Sequence, residues 1–287
     1  MILITGATSG IGHRLCQLLA GNKHTFRAMC RKEEQIKEFE KEGIKAVLGN
    51  FKDYESLKIA MQGCERLFLL TPPHPEMIKW EKSAIDAAKA SGIKYIVKIS
   101  ASDANVRSAV PWAKSHAIID HHLRDSGIDW TILKPTAFMQ NFLSSAKPVS
   151  KGFLPQVAGK GKVGYIHTDD IANVAFCVIT EDKHSLATYY LSAPEALDMQ
   201  EIADQFTTVL DKKVKYVNLP KLAFRALLRL SGVSSWFASG TVVQFAEVVA
   251  RSHALDISKE VYRLTKSEPK TFVEFIRENK KIFETGS

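Results

Sequence analysis

No two of the four cysteines, Cys16, Cys30, Cys64 and Cys177, form a C-x-x-C pair, so neither a zinc site nor a redox dithiol is indicated, and reduced, mostly buried thiols are expected. Long hydrophobic runs are missing too. No apolar stretch reaches the ~18 residues that span a bilayer. Met1 opens directly onto Ile2-Leu3-Ile4-Thr5, too short for a signal peptide and lacking a basic leader and a cleavage site. These absences lead us to expect a cytoplasmic protein with no membrane partner. The chain also lacks internal repeats and low-complexity tracts, which argues against solenoid and fibrous architectures.

The formal net charge is +8 and the pI is about 9.2, a balance that calls for a nucleic-acid partner to be considered. The basic residues are scattered, however. Their densest clusters, Arg31-Lys32, Lys160 with Lys162, Lys212 with Lys213 and Lys215, and Lys280-Lys281, are short and form no stripe interleaved with aromatics. A solvated basic face explains them, and no nucleic acid is expected. With 45% hydrophobic and 24% charged residues, the composition is that of an ordinary globular protein.

What the chain does have is alternation. Strand-like runs at Ile2–Thr5, Thr25–Arg31, Ala46–Leu48, Arg66–Leu70, Tyr95–Ile99 and Trp130–Leu133 are separated by amphipathic stretches near Ile11–Ala20, Glu33–Glu42, Tyr54–Met61, Pro75–Ala90 and Ala113–Asp125. Glycines at 21, 43, 63, 92 and 127 punctuate the helix ends, where a left-handed cap strains glycine least. The pattern predicts an α/β chain: a Rossmann, doubly wound parallel sheet. Strands at Val163–Ile166 and Thr188–Leu191 are expected to complete it. The region from Asp198 on reads as mainly helical, with a strand at Val214–Val217 and a last helix around Phe272–Phe283. The expected division is a dinucleotide-binding domain over 1–192, with part of 136–162 serving the substrate pocket, and a smaller helical substrate lobe over 193–287.

The segment Gly6-Ala7-Thr8-Ser9-Gly10-Ile11-Gly12 follows the first strand and opens the first helix. Its glycines allow a tight turn, close approach of backbone to a pyrophosphate, and close helix–sheet packing; the helix N-terminus supplies amides and positive potential for the phosphates. Gly6, Thr8, Ser9, Gly10, Ile11 and Gly12 are therefore assigned to cofactor binding. At the end of the second strand, where NAD-selecting enzymes carry a carboxylate, stands Arg31. A guanidinium there grips a 2′-phosphate, so NADP(H) is the expected cofactor.

Beyond the loop, Gly49-Asn50-Phe51-Lys52-Asp53, Ser126-Gly127, Thr131-Ile132-Leu133-Lys134-Pro135, Ile166-His167-Thr168-Asp169-Asp170-Ile171-Ala172, and Leu264-Thr265-Lys266 with Pro269 follow in an order that resembles the NmrA-like family of atypical short-chain dehydrogenases, over nearly the whole chain. The resemblance implies that Asn50 and Phe51 lie near the adenine, Thr71, Pro72 and Pro73 near the inner ribose, and Ser100-Ala101-Ser102 near the nicotinamide. It likewise implies that Lys134 and Pro135 line the cofactor's inner edge and that Phe138 and Asn141 sit at the substrate pocket. Two departures stand out: Ser9 replaces the middle glycine of the family's usual loop, and Asn50 stands where many relatives carry Asp.

Ordinary short-chain dehydrogenases protonate a nascent alkoxide with a Tyr-x-x-x-Lys pair. Counting back from Gly127, the matching segment here is Trp112-Ala113-Lys114-Ser115-His116, and an indole cannot act as the acid. The expected acceptors are those that manage without a strong acid: a quinone, an iminium ion or a dye-like compound. His116, at the position of the lost lysine, is the best-placed acid. Ser100 and Lys134 join it as catalytic candidates, with Trp112 as a substrate contact. The adjacent His121-His122 lack a third ligand at helical or hairpin spacing, so no metal is expected. Thr168 or Asp169 is expected to cap the helix that follows. The apolar set within Leu222–Val249 suits core, pocket lid or dimer surface, with core as the default. The predicted function is an NADPH-dependent reductase of a small hydrophobic electrophile, as a monomer or homodimer; the alternative is an NADP(H)-sensing regulator without turnover.

Overall fold

Three consecutive apolar residues, Ile2, Leu3 and Ile4, form the first strand, and all three are buried, as a strand covered on both faces of a parallel sheet requires. The computed structural model describes residues 1–251 and 257–286. Strand and helix alternate through β1 (Ile2–Ile4), α1 (Gly10–Gly21), β2 (Phe26–Cys30), α2 (Glu33–Lys41), β3 (Ala46–Leu48), α3 (Tyr54–Met61), β4 (Arg66–Leu69), α4 (Met77–Ala90), β5 (Tyr95–Ile99), α5 (Pro111–Asp125) and β6 (Asp129–Pro135). They continue through α6 (Ala146–Ser150), β7 (Phe153–Gln156), α7 (Thr168–Thr180), β8 (Ala187–Leu191), α8 (Met199–Leu210), β9 (Lys215–Asn218), α9 (Lys221–Leu230), α10 (Ser235–Val243), α11 (Glu260–Thr265), α12 (Phe272–Glu278) and α13 (Lys280–Thr285).

Seven strands form one sheet in the order β3-β2-β1-β4-β5-β6-β8, and β1 to β6 pair in parallel. The chain winds outward from β1 to β3, then returns to β4 on the other side. The carboxyl edge between β1 and β4 is therefore the topological switch point at which such sheets bind ligands. Helices α3, α4 and α5 cover one face through Leu57, Met61, Ala84, Ile85, Ile119 and Leu123. The predicted Rossmann sheet is the one observed.

The chain divides into two units, but not at residue 192. One comprises Met1–Arg107, Trp112–Lys134 and Ile171–Tyr189; the other comprises Ser108–Pro111, Pro135–Asp170 and Tyr190–Ser287. The second unit claims the excursion after β6 because that excursion buries its apolar residues there: Met139, Phe142, Ala146, Val149 and Leu154 share a core with Phe206, Phe272, Phe275 and Phe283. Its two-stranded parallel sheet joins β7 to β9.

Several local expectations need correction. Val163–Ile166 is not a strand: Val163 bridges Leu197, Ile166 bridges Phe138, and Gly164 O accepts from Thr136 Oγ1 at 2.5 Å, so its backbone serves separate partners rather than one ladder. Gly21 ends α1 in helical geometry and Lys23 takes the left-handed conformation after it, whereas glycines 43, 63, 92 and 127 do adopt positive φ. The last helix breaks at Asn279 into α12 and α13. Neither Thr168 nor Asp169 caps α7; the His167 ring accepts from Asp169 N at 3.1 Å, while Asp169 pairs with Lys270 Nζ at 3.1 Å and Asp170 accepts from Lys270 N at 2.9 Å. Within 222–249, Phe224, Val242, Phe245 and Val249 are core, but Leu222 and Leu230 are 80% and 88% exposed.

Phe272 makes ring contacts with Phe142, Tyr165, Phe206 and Phe275 at centroid distances of 4.9, 6.2, 5.9 and 5.5 Å. Truncating it to alanine removes the shared partner of four rings. Phe272→Ala is expected to cost ~3–5 kcal/mol, read as a lower urea midpoint at unchanged slope.

Candidate functional site

The turn after β1 is built for close approach. Gly6 has φ +61°, and a Cβ on it would meet Leu70 O at 2.8 Å; a Cβ on Gly12 would meet Gly6 O at 2.2 Å. Neither position tolerates a side chain, so α1 starts against the backbone of the turn itself. Thr5 ties this turn to the next strand: its hydroxyl donates to Phe68 O at 2.9 Å and accepts from Leu70 N at 3.0 Å. Ser9 caps the helix, accepting from Gly12 N at 3.1 Å and donating to Gly6 O at 2.7 Å. The first bond of the helical ladder is His13 N to Ser9 O. The amides of Gly10 and Ile11 thus precede the ladder at the positive end of a twelve-residue helix, an arrangement suited to a phosphate.

Strands β2 to β6, parallel to β1, end at the same edge. Arg31 follows β2, is exposed and makes no ion pair among the described residues; its amide donates to Gln35 Oε1 at 3.0 Å, fixing the turn. Asn50, after β3, uses its side-chain oxygen to accept from Lys52 N at 3.0 Å, and Phe51 beside it is half-buried against the core. Thr71 follows β4 and is buried, with Pro72 and Pro73 exposed beyond it. Ser100 follows β5, and Lys134 lies near the end of β6.

Beneath this edge lies a cluster of charge. Strand β5 reads Tyr-Ile-Val-Lys-Ile with every residue buried, and Lys98 has no exposed surface. Its Nζ donates to Ile99 O and to His116 Nδ1, both at 3.1 Å. It also stands 3.1 Å from Asp120 Oδ1 and 3.4 Å from Glu81 Oε2, although neither oxygen receives a well-aligned hydrogen bond. The outer oxygens of both carboxylates are engaged: Glu81 Oε1 accepts from Thr71 Oγ1 at 2.5 Å, and Asp120 Oδ2 accepts from Ser100 Oγ at 2.7 Å. Lys134 Nζ lies 3.8 Å from that same Oδ2. Burial pushes the Glu81 carboxyl above its ordinary value, against the downward pull of Lys98 and Thr71. Lys134 is held below the ordinary lysine range by burial, Asp120 pulling it back up and Arg124 and Lys98 pushing it further down.

Ser100, Lys134 and His116 are thus brought together, but with unequal freedom. His116 is buried, and burial first, then Lys98 and Lys134, hold its ring well below its ordinary value. Accepting from Lys98 through Nδ1, it is a neutral acceptor within the cluster rather than an imidazolium at the surface. Trp112 is also buried. Pro135, Phe138 and Asn141 belong to the second unit; Phe138 is half-buried and Asn141 exposed. Lys98, Glu81 and Asp120 escaped the sequence reading. Their signal is a cation inside an apolar strand, with acids on the apolar stripes of the flanking helices, where Glu81 falls between Met77 and Ile85.

A family model described as the NmrA-like family matches residues 1–276. The chain belongs to the NmrA-like family. An NAD(P)H azoreductase of Xenophilus azovorans is 27% identical to this chain, covering 99% of each. Quinone oxidoreductase 2 of Escherichia coli is 30% identical, covering 83% of this chain and 84% of its own. The crystal structure of an NADPH-dependent quinone oxidoreductase from Escherichia coli complexed with NADPH superimposes with a TM-score of 0.89 at 28% identity, covering 97% of this chain and 99% of the other.

Replacing Lys98 strands two buried carboxylates. Lys98→Met is expected to cost ~3–5 kcal/mol at neutral pH. The deficit should narrow as the pH is lowered and Glu81, whose carboxyl burial already pushes toward the neutral form, takes up a proton, which urea unfolding at a series of pH values would read.

Proposed function

We propose that the protein is an NADPH-dependent reductase that passes hydride to a small conjugated or aromatic electrophile: a quinone, an iminium or a dye-like compound. The observation that carries this reading is the pairing of a dinucleotide cradle closed to any Cβ at Gly6 and Gly12 with a strand edge that carries Lys134 beside Asp120, while Trp112 stands where a tyrosine would be expected. The azoreductase and quinone oxidoreductase relatives support it by their names.

The cradle suits the cofactor residue by residue. The Gly10 and Ile11 amides meet the pyrophosphate, and Gly6, Thr8 and Ser9 shape the turn around it. Arg31 meets a 2′-phosphate with two charge-assisted hydrogen bonds. Asn50 and Phe51 border the adenine, and Thr71, Pro72 and Pro73 the inner ribose. Pro135 continues the edge begun by Lys134. Bound NADPH supplies the hydride.

The remaining demand on the protein is a proton. Ser100 already commits its hydroxyl hydrogen to Asp120 at 2.7 Å, which leaves it an acceptor toward anything outside, and His116 is neutral and buried. Lys134, paired with Asp120 Oδ2 at 3.8 Å and with its pKa lowered, gives up a proton more readily than an exposed lysine. That is enough for a quinone, whose reduced oxygen is weakly basic, and unnecessary for an iminium, which hydride neutralises. Phe138 and Asn141 are proposed as substrate contacts on the family resemblance of their sequence context, and Trp112 from its place in the segment that stands where the Tyr-x-x-x-Lys pair would be.

Arg31→Ala is expected to weaken NADPH binding roughly 10–100-fold, as the loss of a charge-assisted contact implies, and to leave NADH nearly unchanged. Fluorescence titration with both nucleotides checks it; equal losses would remove the 2′-phosphate role. The reaction itself is tested by following NADPH absorbance with panels of quinones, azo dyes and iminium ions. Turnover of at least one class is expected. Tight NADPH binding with no turnover across all three would assign the chain to dinucleotide sensing instead.

A further inference from the structure

Lys98 is the hub of an arrangement with two arms. On one side Glu81 turns Oε2 to Lys98 and Oε1 to the Thr71 hydroxyl. On the other Asp120 turns Oδ1 to Lys98 and Oδ2 to the Ser100 hydroxyl, with Lys134 Nζ on the same oxygen. Thr71 and Ser100 follow β4 and β5, which are hydrogen-bonded neighbours with Leu69 opposite Lys98. A single buried cation thereby fixes the inner oxygen of each carboxylate, and each outer oxygen holds a hydroxyl at the carboxyl edge of the sheet. The contacts that satisfy the buried carboxylates therefore also fix the direction of two hydroxyls at the edge where the cofactor is proposed to lie.

We propose that Asp120 is the positioning residue of the hydride-transfer edge: anchored on Lys98, its carboxylate sets the direction of the Ser100 hydroxyl and holds the Lys134 ammonium in place as proton donor. This rests on the reading above, in which Ser100 and Lys134 face the reacting end of the cofactor. In the step concerned, the C–H bond of the reduced nicotinamide breaks and its electron pair and hydrogen pass to the acceptor. A proton then leaves Lys134 Nζ for the acceptor's reduced oxygen or nitrogen, and solvent returns that proton to the amine. Asp120 is not consumed. Its charge favours the protonated lysine between turnovers, opposing the burial that favours the neutral amine, and Oδ2 keeps the Ser100 hydrogen turned away from the acceptor.

Besides burial, which lowers the proton affinity of Lys134 most, the groups that act on it include Asp120 and Asp103, which hold its proton on, and Arg124 and Lys98, which push it off. His116 accepts from Lys98 and is neutral. Removing the Asp120 charge therefore lowers the pH at which Lys134 loses its proton, while Asp120→Glu keeps the charge.

The test uses [ε-13C]lysine-labelled full-length protein without nucleotide, the Lys134 signal being assigned through Lys134→Arg. In Asp120→Asn the Lys134 titration midpoint is expected to fall by about one pH unit or more, a tenfold change in proton affinity, and Asp120→Glu is expected to restore most of it. With an acceptor that the wild type reduces, kcat of Asp120→Asn should fall roughly tenfold or more, its alkaline limb moving to lower pH, while the dissociation constant for NADPH changes by less than about threefold. An unchanged Lys134 midpoint in folded Asp120→Asn overturns the proposal. If that variant does not fold, the Asp120 13Cγ signal of the wild type decides: it should shift at the pH where Lys134 titrates, and independent midpoints overturn the proposal equally. A chain that passes the titration test yet reduces no acceptor keeps the positioning role and loses the reductase reading, so the two failures are distinguishable.

Discussion

Helix α1 starts where no side chain fits: a methyl group on Gly12 would stand 2.2 Å from Gly6 O. This one close approach sets the helix end over the carboxyl edge of β1, and Thr5 locks the turn to the end of β4. Parallel pairing does the rest. Because β1 to β6 run the same way, each strand delivers whatever follows it to that edge: the glycine loop after β1, Arg31 after β2, Asn50 after β3, Thr71 after β4, Ser100 after β5. Lys134 arrives near the end of β6. Residues far apart in the chain thus become neighbours on one line without any long-range contact having to be specified separately.

A sheet edge made this way is held by backbone, but hydroxyls and amines at its rim still need orienting. Here the orientation comes from below. Burying a lysine and two carboxylates costs several kcal/mol per ion in desolvation, which mutual attraction repays only when the remaining polar atoms are satisfied. Thr71 and Ser100 supply part of that satisfaction for Glu81 and Asp120. The stability of the cluster and the direction of the rim hydroxyls are therefore one requirement rather than two. His116 completes the surroundings of Lys98 as a neutral acceptor; a charged imidazolium beside a buried cation would undo the arrangement.

The sequence reads well where one local rule decides. Six of the strands and the five helices between them follow from periodicity and glycine punctuation, and the places of Ser9 before α1 and Arg31 after β2 are legible because each depends only on position in a βα turn. Legibility fails where a partner decides. Strand β7 is four residues with Pro155 among them, and it exists because β9 lies against it; Val163–Ile166 looks like a strand but spends its backbone on separate partners. The second unit's claim on Pro135–Asp170 follows from an aromatic core assembled from residues as far on as Phe283. Lys98 is illegible for a subtler reason: one charge in a strand reads as an outward-facing position, and only the acids on two separate helices reveal that it faces inward.

Helix α5 brings the lessons together. Where an ordinary short-chain dehydrogenase presents a tyrosine and a lysine to its substrate, this helix carries Trp112 and His116, both buried, and adds Asp120 one turn beyond His116. The face that would have held the proton donor has been turned to the ionic cluster instead. On the proposed reading proton supply falls to Lys134 near the end of β6, a group whose pKa is lowered by burial yet defended by Asp120. A donor of that kind suits acceptors whose reduced form needs only mild protonation, or none, better than it suits the strongly basic alkoxide of a simple ketone. The proposed substrate class thus turns on which element of the fold keeps the acid: an acid on the strand edge instead of the helix would trade ketone chemistry for the reduction of conjugated electrophiles.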